Sequence, residues 1–303
     1  MFKTRIMGCV FVAIALLGCE KKTAEPNTPI VSEQAVSADH FLETQDLKIR
    51  YKSEGKSDKQ TLLLLHGFTS SLESWDSLVE HLGNNYHIVR VDLSGHGLTG
   101  PDSKSRYSHA DNVAFVKAVI DGLHIKNPII IGNSMGGNIA WHYAAQYPED
   151  VNGLVLIDAS GFSLNGLSDE PIELSPMLEN YFFKPSKFAV NNGLKNQYAD
   201  ASKIPEGRAE KILEMMQGNG EAYAKMFKVF TLPDPREQLA KITAPTLIIW
   251  GEKDAVVPPA HAKLFGDAIV GSKVQIIENS GHVPHEETPI VTADTIIKFL
   301  KEK

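Results

Sequence analysis

The 303-residue chain has two cysteines, Cys9 and Cys19, both near its start. Their number and position exclude a disulfide-stapled scaffold, and no cysteine–histidine spacing of the zinc type occurs. No lysine- or arginine-rich block is present and the net charge is −7, which argues against a nucleic-acid partner. No repeat at a fixed period points to a solenoid or propeller. Long apolar runs are also missing. The most apolar early stretch covers only Ile6 to Leu17, short of the ~20 residues that a membrane-spanning helix needs. What remains is ordinary for a folded domain, with 43% hydrophobic and 22% charged residues. The chain is long enough to bury one large α/β core.

The short apolar stretch is informative in another way. Lys3 and Arg5 precede it, and Gly18-Cys19 and a charged exit follow it, which is the layout of an export signal. The end "LLGC" resembles the lipobox of bacterial lipoproteins. That resemblance implies a signal peptide over residues 1–18, cleavage after Gly18 and lipid attachment at Cys19. Cys9 would leave with the signal, so the mature chain would hold one lipidated cysteine and no internal disulfide. Residues 19–42 are rich in Thr, Pro, Ser, Ala and charge and read as a flexible tether. The expectation is a lipoprotein of the cell envelope, attached to the membrane through Cys19. Glu20, where inner-membrane retention usually has aspartate, favours the outer membrane.

From residue 43 on, short apolar runs alternate with amphipathic segments. Strands are expected at 47–51, 61–66, 87–92, 128–133, 153–158, 246–251 and 273–278, and helices near 71–83, 109–123, 135–147, 259–268 and 289–301. The middle runs are apolar at nearly every position, as strands covered on both faces are. The alternation predicts βαβ crossovers and a mostly parallel, doubly wound sheet. It breaks over 162–239, where only helical patterns occur, in four stretches at 171–183, 185–194, 206–216 and 221–230. A helical cap inserted between the two parts of the core, 43–161 and 240–303, is the expectation. Its Phe, Met and Tyr residues would line a pocket or form the cap's own core.

Gly132-Asn133-Ser134-Met135-Gly136 stands between an apolar run and an amphipathic segment. A strand-to-helix turn of this kind projects a serine hydroxyl above the sheet, and the glycines keep the adjoining strand and helix from clashing. The helix start supplies free N–H groups and a favourable dipole for negative charge. Serine needs a base, and the base needs an orienting acid. The chain supplies them in the order serine, acid, histidine. Asp254 follows one expected strand and His282 follows the next. Asp158, at the end of "LIDASG", competes as the acid, and His285 as the base. His81 and His142 fall on helical faces and suit structural or surface roles. A tetrahedral intermediate needs two N–H donors. Met135, directly after the serine, offers one and Phe68, after the strand "TLLLLH", offers the second. Both are backbone claims, and His66 and Gly67 shape the turn.

Together "HGF", "DLSGHGLTGP", "GNSMGG", "WGEKDAVVP" and "SGHVPHEE" resemble the α/β-hydrolase superfamily over nearly everything after residue 46. The resemblance is to its branch of serine esterases, monoacylglycerol-lipase-like enzymes and meta-cleavage carbon–carbon hydrolases. It implies an α/β-hydrolase fold, a triad of Ser134, Asp254 and His282, an oxyanion hole at Phe68 and Met135, and neither metal nor cofactor. The serine departs from the dehalogenase and epoxide-hydrolase branches, which use aspartate there. "HGFTSS" departs from the glycine- and proline-rich loops of carbon–carbon hydrolases and proline iminopeptidases. The expected activity is cleavage of small-molecule carboxylic esters. Carbon–carbon hydrolysis and a catalytically silent binding module stand as alternatives.

Overall fold

The computed structural model describes residues 38–44, 46–164 and 169–302. The expected signal peptide, Cys19 and most of the tether lie outside them. Eight strands form the sheet: β1 His40–Glu43, β2 Lys48–Gly55, β3 Thr61–Leu65, β4 His87–Val91, β5 Ile129–Asn133, β6 Gly153–Ile157, β7 Thr246–Gly251 and β8 Lys273–Ile277. Their order is β1-β2-β4-β3-β5-β6-β7-β8. The β1–β2 and β2–β4 pairs are antiparallel and the others parallel. The helices are α1 Asp76–Leu82, α2 His109–Gly122, α3 Met135–Gln146, α4 Pro176–Phe183, α5 Lys187–Gln197, α6 Arg208–Val229, α7 Arg236–Leu239, α8 Ala260–Ala268, α9 Pro284–Glu287 and α10 Pro289–Lys301.

The leucine run of β3 shows why the sheet is covered on both faces. Successive side chains of a strand point to opposite sides. Leu63 and Leu65 enter the core with α2 and α3, whereas Leu62 and Leu64 enter the core with α1 and α10. Every residue of β3, β5, β6 and β7 is buried. Uniformly apolar runs are therefore what these strands require, and all seven strands expected from the sequence form. The eighth was missed. β1 falls mostly within the stretch read as a tether, and His40–Leu42 pair with β2 as the edge of the sheet. Only Leu42 of β1 turns inward, so β1 carries little of the alternation that marks a strand.

Between β6 and β7 the described residues hold helices and no strand. The two stretches expected at 206–216 and 221–230 are one helix, α6, running through Gly218 and Gly220. A Cβ on Gly220 would lie 2.3 Å from the Phe182 carbonyl oxygen. Gly220 thus lets α4 lie close on α6. Leu174, Phe182, Val190, Leu194, Met216 and Tyr223 pack into a separate core inside the cap. Among the described residues no helix is long and apolar enough to cross a membrane.

Candidate active site

Parallel strands place their C-terminal ends on one edge of the sheet, where ligands bind in open α/β folds. Phe68 follows β3, Ser134 follows β5, Asp158 follows β6, Asp254 follows β7 and His282 follows β8. The connection at Ser134 is sharp. Its φ of 54° and ψ of −115° lie outside the regions that L-residues ordinarily occupy. Close approach makes the turn possible. A Cβ on Gly132 would meet the Gly136 carbonyl oxygen at 2.3 Å, and one on Gly136 would meet the Leu65 carbonyl oxygen at 2.1 Å. The Ser134 backbone is then held from several sides: its N–H donates to Ile157 O at 3.0 Å, and its carbonyl accepts from Asn138 and Ser160.

His282 Nδ1 and Asp254 Oδ2 are 2.8 Å apart, both residues being buried. The other Asp254 oxygen accepts from the N–H groups of Val256 at 2.8 Å and Val257 at 3.0 Å. Burial by itself would raise the Asp254 carboxyl. The His282 hydrogen bond and charge and the Val256 N–H outweigh burial and hold it below the ordinary carboxylate range. Asp158, the rival acid, makes no bond to His282. Its Oδ1 accepts from Gly251 N–H at 2.8 Å. His285, the rival base, is fully buried, with its ring centroid 4.3 Å from that of Trp75. Burial, then Arg208 and His282, push it well below the ordinary imidazole value. His81 is exposed. His142 stacks between Trp141 and His109, and burial pushes it down to about 3.

Met135 is the first residue of α3, and Phe68 sits in the turn after β3. Among the described residues neither backbone N–H donates to a protein acceptor. Both residues border the same cavity as Ser134. Gly67 lies close to Ser134: a Cβ there would come within 3.0 Å of Asn133 Oδ1 and 3.4 Å of Ser134 Cβ. His66 Nδ1 donates to Gly67 O at 2.8 Å and its Nε2 accepts from Leu93 N–H at 3.1 Å, which fixes one neutral tautomer and shapes the turn.

Two cavities border Ser134. One, of about 270 Å³, is bordered by Ser134 and His282, by Thr69, Ser70, Gln197 and Glu286, and by the cap residues Leu178, Tyr181 and Phe182. The other, of about 160 Å³, is more apolar and includes Leu164, Met226, Phe230 and Val257. Phe68, Phe227 and Val256 border both. The cap aromatics thus serve both expected purposes, since Phe182 also packs in the cap core. The Phe68 ring joins them, with centroids 5.9 Å from Phe182 and 5.4 Å from Tyr223.

Several residues of the site carry no local signal in the sequence. Asn133 Nδ2 donates to Ile157 O at 3.1 Å and His282 O at 3.0 Å, tying the serine turn to the histidine loop. His282 N–H donates to Gln197 O, at the end of α5, at 2.7 Å. Glu287 accepts from Gly281 N–H at 2.7 Å, Asp200 N–H at 2.8 Å and Ala199 N–H at 3.0 Å. Buried Arg208 donates to Glu286 at 2.8 Å and to Ser70 Oγ at 3.2 Å, and Tyr198 OH donates to the other Glu286 oxygen at 3.0 Å. The cap is therefore bonded to the histidine loop from both α5 and α6.

Residues 60–289 match the model of the alpha/beta hydrolase fold family. The chain is 32% identical to the monoacylglycerol lipase abhd6-A of Xenopus laevis over 273 residues, covering 86% of this chain and 81% of that protein. A solved membrane phospholipase A, described as a bacterial virulence factor, superposes with a TM-score of 0.77 at 28% identity, covering 88% of this chain and 86% of that one. The meta-cleavage product hydrolase CumD superposes with a TM-score of 0.75, covering 87% and 98%. Its identity of 23% makes that a likeness of fold alone. The match over most of the chain, on a sheet of the order described, shows that this protein belongs to the α/β-hydrolase family and is a hydrolase with lipases among its relatives.

Proposed function

We propose that the chain is a serine hydrolase of carboxylic esters. The observation that carries this reading is the 2.8 Å Asp254–His282 hydrogen bond at the wall of a cavity shared with Ser134. Asp254 orients the imidazole, with Nδ1–H bonded to the carboxylate and Nε2 left to take the Ser134 proton. Ser134 Oγ attacks the acyl carbonyl, and the N–H groups of Phe68 and Met135 receive the developing oxyanion. The imidazolium then protonates the departing alcohol. An acyl-enzyme remains, and water deprotonated by His282 attacks it to release the acid and regenerate the serine.

The cavities support an uncharged substrate of modest size. Each lies at or below the small end of the range for ligand sites, and the 160 Å³ lobe is almost wholly apolar. Short-to-medium acyl esters and monoacylglycerols are the substrate classes this favours, in line with a monoacylglycerol lipase and a phospholipase A among the similar proteins. Arg208, a buried cation of the cap bonded to Ser70 and Glu286 at the cavity wall, is already paired with Glu286, which weighs against an anionic dienoate and so against carbon–carbon hydrolysis. Export and anchoring at Cys19 complete the proposal and rest on the amino-terminal sequence.

Purified protein is expected to hydrolyse p-nitrophenyl esters, with Ser134→Ala lowering kcat by at least ~10³. Undiminished ester hydrolysis by Ser134→Ala would overturn the assignment. An ester series of increasing chain length, run beside a meta-cleavage dienoate, separates the two chemistries. Labelling of Ser134 by a fluorophosphonate probe separates both from a silent binding module.

A further inference from the structure

Asp158 is the one strand-end acid in the site that the proposed reaction does not use. It sits at the end of β6 with a φ of 46°, a conformation that aspartate tolerates better than most residues. Its backbone N–H donates to Ile249 O at 3.0 Å, and its Oδ1 accepts from Gly251 N–H at 2.8 Å. The carboxyl is thereby pinned across the ends of β6 and β7. Gly251 O in turn accepts from Asp254 N–H at 3.2 Å, and Lys253 N–H donates to Ser280 O at 2.9 Å. Asp158 is thus fastened to the turn that carries Asp254, which is itself fastened to the loop that carries His282.

The second oxygen, Oδ2, poses a problem. Asp158 is wholly enclosed, and among the described residues Oδ2 receives no donor. One carboxyl oxygen of Asp158, one of Asp254 and a ring nitrogen of His282 lie within 4.8 Å of one another. Among the described residues no lysine or arginine pairs with either carboxyl. Two enclosed carboxylates this close cannot both be ionised at modest cost. One proton between them removes the repulsion and satisfies Oδ2 together.

We propose that Asp158 is a positioning residue: a neutral carboxylic acid whose Oδ2–H donates to Asp254 and locks that carboxylate onto His282. The proposal rests on the serine-hydrolase reading above. The proton belongs on Asp158 and not on Asp254, because Asp254 already accepts from Val256 N–H, Val257 N–H and His282, whereas Asp158 accepts from Gly251 alone. Burial and the Asp254 charge push the Asp158 carboxyl well above its ordinary value, in agreement with this placement. With the Asp158 donor in place, Asp254 has four, and its plane and ionisation are both defined. The titratable groups around the pair are His282, on the loop after β8, and His261, on α8, which feels the Asp254 charge.

The test compares wild type, Asp158→Asn, Asp158→Ala and Ser134→Ala by kcat and KM for a p-nitrophenyl ester across the acid limb of the pH profile. Asparagine keeps an oxygen for Gly251 and an N–H for Asp254. It is expected to keep kcat within about threefold and to leave the acid limb where it is. Alanine removes the donor. Its kcat is expected to fall about tenfold to a hundredfold, the usual cost of losing the partner that orients a functional group, with KM little changed. The acid limb should move to higher pH, because an Asp254 charge without its donor stabilises the imidazolium more.

An acid limb that moves to lower pH in Asp158→Asn would overturn the proposal, since it would mean that a negative charge beside His282 had been removed. So would a loss of kcat in Asp158→Asn as large as in Asp158→Ala, the result expected if Asp158 were ionised and held a cation. If Asp158→Ala does not fold, the wild type and asparagine profiles decide alone. Ser134→Ala that remains active sinks the serine-hydrolase reading; Ser134→Ala that is inactive beside a shifted Asp158→Asn limb sinks only the role of Asp158.

Discussion

A buried acid that keeps its proton has a consequence for stability as well as for catalysis. The Asp158 carboxyl is raised well above 3.8 in the folded chain, first by burial and then by Asp254. Between those two values the native state holds a proton that the unfolded chain has released. Raising the pH across that window therefore favours unfolding. The contribution of Asp158 is complete below 3.8 and is lost as pH rises through the folded value. Asp158→Asn is neutral at every pH and escapes this loss. The difference in Tm between the variant and wild type is expected to be small near about pH 4 and to grow in the variant's favour towards about pH 8. A difference that does not change with pH, followed by calorimetry, would mean that Asp158 is ionised in the native protein. At this scale the sequence was legible in part. Ser134, Asp254 and His282 stand at strand ends with tell-tale neighbours. The closeness of Asp158 to Asp254 has no local sign, because each is a plausible strand-end acid taken singly.

Among the elements, the join between cap and core combines apolar packing, through Phe68, Val283 and Met226, with a set of polar bonds. Glu287, in the short helix α9, accepts three backbone N–H groups, one from the histidine loop and two from the segment after α5. Hydrogen bonds to a buried charge are worth more than neutral ones, and unmet donors are costly. Glu287→Ala is expected to destabilise the protein by about 3 kcal/mol, read from the urea midpoint, and to lower kcat because Gly281 precedes His282. Glu287→Gln, which keeps an acceptor oxygen, should fall between the two. A urea midpoint unchanged in Glu287→Ala would show that the cap holds to the loop without it. The cap helices were legible from their period, but the unity of α6 was not. The two stretches are separated by Gly218 and Gly220, and the reason for Gly220 is the backbone of α4 packed against it, 38 positions earlier at Phe182.

The whole molecule joins an amino-terminal segment that reads as a lipoprotein signal to a hydrolase domain whose sheet starts at His40. Cys19→Ser expressed in a bacterial host is expected to lose metabolic palmitate labelling and to leave the membrane fraction. The specific activity of the purified domain towards soluble esters should be unchanged. Labelling that persists in Cys19→Ser would refute attachment at that cysteine. Fractionation of inner from outer membranes tests the expectation drawn from Glu20.

The amino-acid sequence by itself determined the α/β alternation, the seven strands buried or paired in the sheet, the place of the inserted cap and the strand-end serine, acid and histidine. Each of these is written in contiguous residues: a run that is apolar because both faces are covered, a turn whose glycines admit close approach, a loop after a strand. Only the tertiary structure decided which acid meets His282, how the two cavities divide the space around Ser134, that β1 closes the sheet edge, and how the cap is bonded to the histidine loop. Those depend on contacts between residues far apart in the chain, such as Asp158 with Gly251 across 93 positions and Asn133 with His282 across 149. A local pattern states what each residue can offer. Its partner is chosen when the strands come together.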